Sequence, residues 1–171
     1  MEFMSSGGKK RGPAFDSPQQ QAWLQLWRTY DRLKSLEDQL FASFGISSQQ
    51  YNLLRLLEAA SPDPLRTLDL ARRMISRSPD ITRMLDRLES QGWITRDRPK
   101  DNRRTVMVSI TPAGMRLLQK IKQPLAECHR KQLGHLGKES LADLVRLLRA
   151  AGAPHEPEGS PWGGPVGGSA R

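Results

Sequence analysis

Apolar positions along this chain recur almost everywhere at helical intervals. Over residues 18–43, Trp23, Leu26, Trp27, Tyr30, Leu33, Leu40 and Phe41 fall on one stripe, which predicts a long amphipathic helix ending at Gly45. "ISSQQY" then opens a second helix. Ser47 and Gln50 have capping-box spacing, and Ile46 with Tyr51 fits a hydrophobic staple. Leu53, Leu54, Leu56 and Leu57 form its apolar face, and "SPDP" (61–64) stops it. A short third helix is expected over 65–74, with Leu68, Leu70, Ala71 and Met74 as its apolar set and no evident N-cap.

The fourth helix has clearer punctuation. Ser78 is the expected N-cap, Pro79 the first helical residue, and Asp80 complements the positive end of the helix dipole. Ile81, Met84, Leu85 and Leu88 make its inner stripe, and Gly92 its stop. The period then changes from 3.6 to 2. "WITR" (93–96) and "TVMVSI" (105–110) read as two strands, with Val106, Val108 and Ile110 on one face. Thr111-Pro112 starts a fifth helix carrying Met115, Leu118, Ile121, Leu125 and Cys128, which Pro124 should kink or split. A last helix over about 138–151 presents Leu141, Leu144, Val145 and Leu148.

The expected fold is mainly α with a small β-hairpin. Helices three and four, joined by a few residues, form a helix-turn-helix, and the hairpin after them makes it a winged one. Residues 1–16, rich in Ser, Gly and Lys, read as a flexible arm. Residues 152–171, dominated by Gly and Pro, read as a disordered tail. The folded part is expected over 17–151: a winged helix-turn-helix part at about 47–110, and helical regions at about 17–44 and 111–151.

Charge sharpens this picture. The 171 residues carry a net +9, and residues 66–104 alone hold eleven basic and six acidic side chains, all but one of the basic ones Arg. Arg suits planar, two-pronged contacts with phosphate and base edges. On the fourth helix, with Ile81, Leu85 and Leu88 inward, Pro79, Arg83, Asp86 and Ser90 point outward. Thr82 and Arg87 flank them, and Arg77 and Ser78 stand at the leading end. Such a face fits the major groove of duplex DNA, where the N-terminal residues of a helix reach base edges. The candidate contacts are therefore Arg77, Ser78, Pro79, Asp80, Thr82, Arg83 and Arg87. In the turn "RDRPKDNRRTV" (96–106), Arg98, Lys100 and Arg104 suit phosphate clamps, whereas Arg96 serves the strand. The alternative use of an Arg-rich winged helix is a protein-interaction module that meets an acidic partner.

Little supports other chemistry. One Cys, three His and no Ser/His/Asp grouping give no enzyme, cofactor or metal expectation; His129 and His135 lack i, i+4 spacing, and Glu127 only loosely joins them. Cys128 sits on an apolar stripe and is expected to be packed rather than reactive. No apolar run reaches membrane-span length, and the N-terminus lacks a secretory apolar region. A lone Cys fits a reducing cytoplasm.

The stretch "DITRMLDRLESQGWITRDRPKDNRRTVMVSITPAG" (80–114) resembles the MarR (multiple antibiotic resistance regulator) winged-helix family. The family's "TRLVDRLE" is matched by Thr82 to Glu89, its wing Asp-x-Arg by Asp101-Asn102-Arg103, and its "LT…G" by Ile110, Thr111 and Gly114. The resemblance extends over about 18–151. It implies a bacterial, cytoplasmic homodimer held by its first and last two helices, nucleoid-associated when it represses a pseudo-palindromic operator. It further implies that Arg103 enters the minor groove while Asp101 orients it. Ile75-Ser76 departs from the family's Gly-Leu turn, and Pro79-Asp80 from its small hydroxyl residues. Many members bind small aromatic or phenolic ligands. Trp23, Trp27, Tyr30 and Tyr51 either line such a cleft or serve as core and dimer-interface aromatics.

Overall fold

The computed structural model describes residues 14–75, 80–99 and 105–156. In chain order its elements are α1 (Pro18–Ser43), α2 (Ser48–Ala60), β1 (Leu65–Arg66), α3 (Thr67–Arg73), α4 (Ile81–Ser90), β2 (Ile94–Asp97), β3 (Met107–Ile110), α5 (Pro112–Leu133) and α6 (Lys138–Gly152). A 3₁₀ turn over Ala153–His155 follows α6. Packing divides the chain into two units, Met1–Ser35 and Leu36–Arg171. The described part of the first is mostly the leading stretch of α1, whose Trp23, Trp27 and Tyr30 are all about 60% exposed. The second holds the core.

That core gathers Phe41 from the end of α1, Leu53, Leu54 and Leu57 from α2, Leu70 from α3, and Met84, Leu85 and Leu88 from α4. Ile94, Val108, Leu118 and Ile121 complete it from the sheet and α5. Each fully buried leucine contributes roughly 1.5–3 kcal/mol by leaving water, so α2, α3, α4 and the sheet are held on one core together with the end of α1 and with α5. The capping box forms as the spacing requires: Gln50 N donates to Ser47 Oγ at 3.2 Å, and Ser47 N to Gln50 Oε1 at 2.9 Å. Gly45 and Gly92 both adopt positive φ, near +70°, just past α1 and α4. After α4, Gly92 N donates to Glu89 O and Trp93 N to Leu88 O, which satisfies two orphan carbonyls and sends the chain directly into β2.

The sheet has three strands rather than the expected two, in the order β1-β3-β2, all antiparallel. Leu65 pairs with Val108, forty-three positions later in the sequence, so this stretch of the expected third helix is strand, and α3 starts only at Thr67. Leu68 is exposed, not part of the apolar set. Helix α4 begins at Ile81 with Asp80 as its N-cap, later than the expected start; Ser78 and Pro79, the expected cap and first helical residue, lie outside the described residues. The carboxylate of Asp80 accepts Arg83 N at 2.9 Å, the bond of an N-cap side chain. Helix α5 is not split: it runs through Pro124 to Leu133. The burial of Ile121, Leu125 and Cys128 on one stripe offsets the backbone bond that proline removes. The last helix extends to Gly152, where the tail was expected to start.

Thr111 locks α5 to the turn after α4. Its hydroxyl donates to Gly92 O at 2.7 Å and accepts Gly114 N at 3.1 Å, and its own N–H donates to Trp93 O at 3.0 Å. Gly114 is packed so closely here that an added Cβ would overlap the Trp93 carbonyl oxygen and lie 2.8 Å from Ile110 Cγ1. A backbone carbonyl held by Thr111 cannot step aside. Gly114→Ala is therefore expected to lower stability by about 1–3 kcal/mol, read as a fall in the thermal midpoint. An unchanged midpoint would contradict this packing.

Candidate nucleic-acid interface

The interface is built on α4, and α4 is held from below by leucine and from its N-terminal side by polar contacts. Met84, Leu85 and Leu88 are buried, and the helix therefore turns Thr82, Arg83, Asp86, Arg87 and Ser90 to the exposed side, as its wheel requires. Ahead of it, Asn52 of α2 accepts Ile75 N at 3.2 Å and fixes the end of the α3 segment. The sequence reading missed Asn52. Its only signal was a polar residue beside the leucines of α2, which does not distinguish a surface amide from a turn anchor.

Of the recognition-helix candidates, Asp80, Thr82, Arg83 and Arg87 are described, and all four are exposed. Asp80 caps the helix, so its carboxylate is committed to the backbone rather than to a base. Among the described residues no acid pairs with Arg83 or Arg87. Arg77, Ser78 and Pro79 lie outside the described residues. Of the wing candidates, Arg98 is described and exposed, immediately after β2. Lys100, Asp101, Arg103 and Arg104 lie outside the described residues.

Arg96 does serve the strand. It shares a face of β2 with buried Ile94 and pairs across the sheet with buried Val108, so its side chain runs toward α4. There the guanidinium meets two carboxylates. Nη1 lies 2.7 Å from Asp86 Oδ1, and Nε donates to Glu89 Oε2 at 2.9 Å, with Nη2 on the same oxygen. The guanidinium holds the Glu89 carboxyl below the usual carboxylate range through these hydrogen bonds, and Glu89 in turn raises Arg96.

The aromatic candidates part ways. Tyr51 stacks at 4.8 Å on Phe41 at the edge of the core, and burial pushes its hydroxyl pKa up. Trp23 and Trp27 lie 6.4 Å apart, exposed on α1 with Tyr30. Cys128 is buried, and burial pushes its thiol up, away from the reactive thiolate. His129 pairs with Glu37 at 3.0 Å, and Glu127 pairs with Arg130, so the loose His129/Glu127/His135 grouping is not brought together.

The MarR family model matches residues 46–106 of this chain, from the start of α2 into the hairpin. The chain is 47% identical to a MarR transcription factor from Planctomyces limnophilus, whose crystal structure covers 80% of this chain and 99% of that one at a TM-score of 0.65. It is 32% identical over 104 residues to the HTH-type transcriptional regulator FarR of Neisseria gonorrhoeae, spanning 61% of this chain and 70% of that one. Sco3205, a MarR family regulator from Streptomyces coelicolor solved in complex with DNA, shares the fold. The TM-score is 0.73 over 88% of this chain and 96% of that one, at 23% identity.

Proposed function

This chain belongs to the MarR family of transcriptional regulators, and we propose that it binds a pseudo-palindromic DNA operator as a homodimer and represses transcription there. The observation that carries the reading is the exposed edge of α4. Thr82, Arg83 and Arg87 stand free of acids among the described residues, on a helix rigidly capped and packed from behind. Arg-rich surface supplies affinity through phosphates, and the α4 side chains supply readout of base edges. Two-fold symmetry sets the half-sites about one helical turn, ~34 Å, apart. In this reading the protein is not an enzyme and works in the bacterial cytoplasm, nucleoid-associated while bound.

The wing completes the reading. Arg98, Lys100 and Arg104 contact phosphates, and Arg103, oriented by Asp101, enters the minor groove. A small aromatic or phenolic ligand releases the operator. With Tyr51 committed to the core edge, the aromatic side chains left to meet such a ligand are Trp23, Trp27 and Tyr30.

Selection of bound sites from a random duplex pool, followed by titration across a salt series, tests the function. The expected result is an enriched inverted repeat whose log affinity falls with log salt at a slope of about −0.9 per phosphate contacted, several contacts in all. A flat salt response with no enriched sequence would leave the acidic-partner module as the better account.

A further inference from the structure

Helix α4 carries two acids on the side that the DNA-binding reading gives to a polyanion. Asp86 lies one turn beyond Arg83, and Glu89 one turn beyond Asp86, so the three fall along one line of the helix surface. Uncompensated, they would oppose DNA in two ways. The carboxylates repel phosphate, and Asp86 at i+3 is placed to capture Arg83 and draw it away from a base. Arg96 takes both acids from the neighbouring strand. Its planar fork reaches Asp86 through one prong and Glu89 through the other edge, a geometry that a lysine ammonium cannot reproduce. The side chain arrives there because strand alternation turns it to the Ile94 face, while Thr95 and Asp97 turn to the opposite one.

We propose that Arg96 is a positioning residue of the DNA interface: by holding Asp86 and Glu89 it neutralises the acids of the recognition helix and leaves Arg83 free for the DNA. The same fork ties β2 to α4, so the hairpin and the recognition helix meet DNA in a fixed relation. Arg96 thus contributes to binding through carboxylates, whereas Arg98, the other described arginine of the hairpin stretch, is read as a phosphate contact. The inference rests on the DNA-binding reading above.

The test is a cycle of four full-length proteins: wild type, Arg96→Gln, Asp86→Asn/Glu89→Gln, and the triple variant. Each is titrated by fluorescence anisotropy onto a selected operator duplex over a salt series, with thermal melting as the fold control. Arg96→Gln is expected to weaken binding roughly tenfold, and the amide pair to recover most of that loss only in the Arg96→Gln background, a non-additivity of about fivefold or more. With Arg96 present, the amide pair releases its guanidinium to a phosphate and steepens the salt slope by about one. Additive effects, or an amide pair that leaves the slope unchanged, overturn the proposal, since Arg96 would then already be on a phosphate. Should Arg96→Gln not fold, the slope of the amide pair decides alone. Wild-type protein that binds no duplex from a random pool overturns the DNA-binding reading and the proposal together, whereas additivity on a wild-type operator complex overturns the proposal only.

Discussion

Arg83→Ala is expected to weaken operator binding by about 1–3 kcal/mol while changing affinity for random duplex far less. The difference follows from where the side chain starts. Arg83 is the third residue of α4, in the first turn of a helix whose N-terminal residues would reach base edges. Its backbone N–H is already held by the Asp80 cap, so truncation of the side chain leaves the helix start intact. Its guanidinium has no acid partner among the described residues, so no buried or paired charge is orphaned and the fold loses little. A base contact is lost only on the sequence that offers the base, and a phosphate contact is lost on every sequence. Anisotropy titrations of the selected operator and a scrambled duplex at one salt concentration separate the two. Equal losses on both would make Arg83 a phosphate contact and shift readout to Thr82, Arg87 and the wing.

How much of this site could be read from sequence depends on the range of the interaction behind each feature. The Ser47–Gln50 capping box and the outward face of α4 are local, and both appear where spacing puts them. The α4 start was misplaced by two residues because Ser78 and Asp80 are both good caps, and composition does not choose between them. Strand β1 has only two residues and no alternation to detect. It exists because Val108 and Met107 pair with it. That Arg96 serves the strand is an expectation from the sequence, but its two partners are not legible there, since seven and ten positions separate them from it across a change of element. The wing from Lys100 to Arg104 lies outside the described residues; the roles of Arg103 and Asp101 are those the family resemblance implies, and those of Lys100 and Arg104 come from the charge pattern.

The apolar stripes teach the same lesson from the other side, and they carry the largest expected effect. The pattern of α6 marks Leu141, Leu144, Val145 and Leu148 as one face, yet within the chain that face is only half covered. Val145 is 50% exposed and Leu148 44%. A periodic pattern says that a face is apolar and does not say whose surface covers it. Apolar patches of this kind mark an association surface more often than bare monomer surface, and the proposed homodimer would cover this face of α6. Val145→Glu/Leu148→Glu is therefore expected to leave the monomer's fold in place, because both positions already face water. In a dimer the same two charges would be buried without partners, a cost of several kcal/mol that the interface would have to absorb. Sedimentation velocity at micromolar concentration should show monomer. Operator affinity should then fall by roughly 10²–10⁴-fold, because each half-site is bound without the effective concentration that its linked neighbour supplies, while affinity for a single half-site stays near wild type. A variant that still sediments as a dimer would move the dimer interface away from this face of α6.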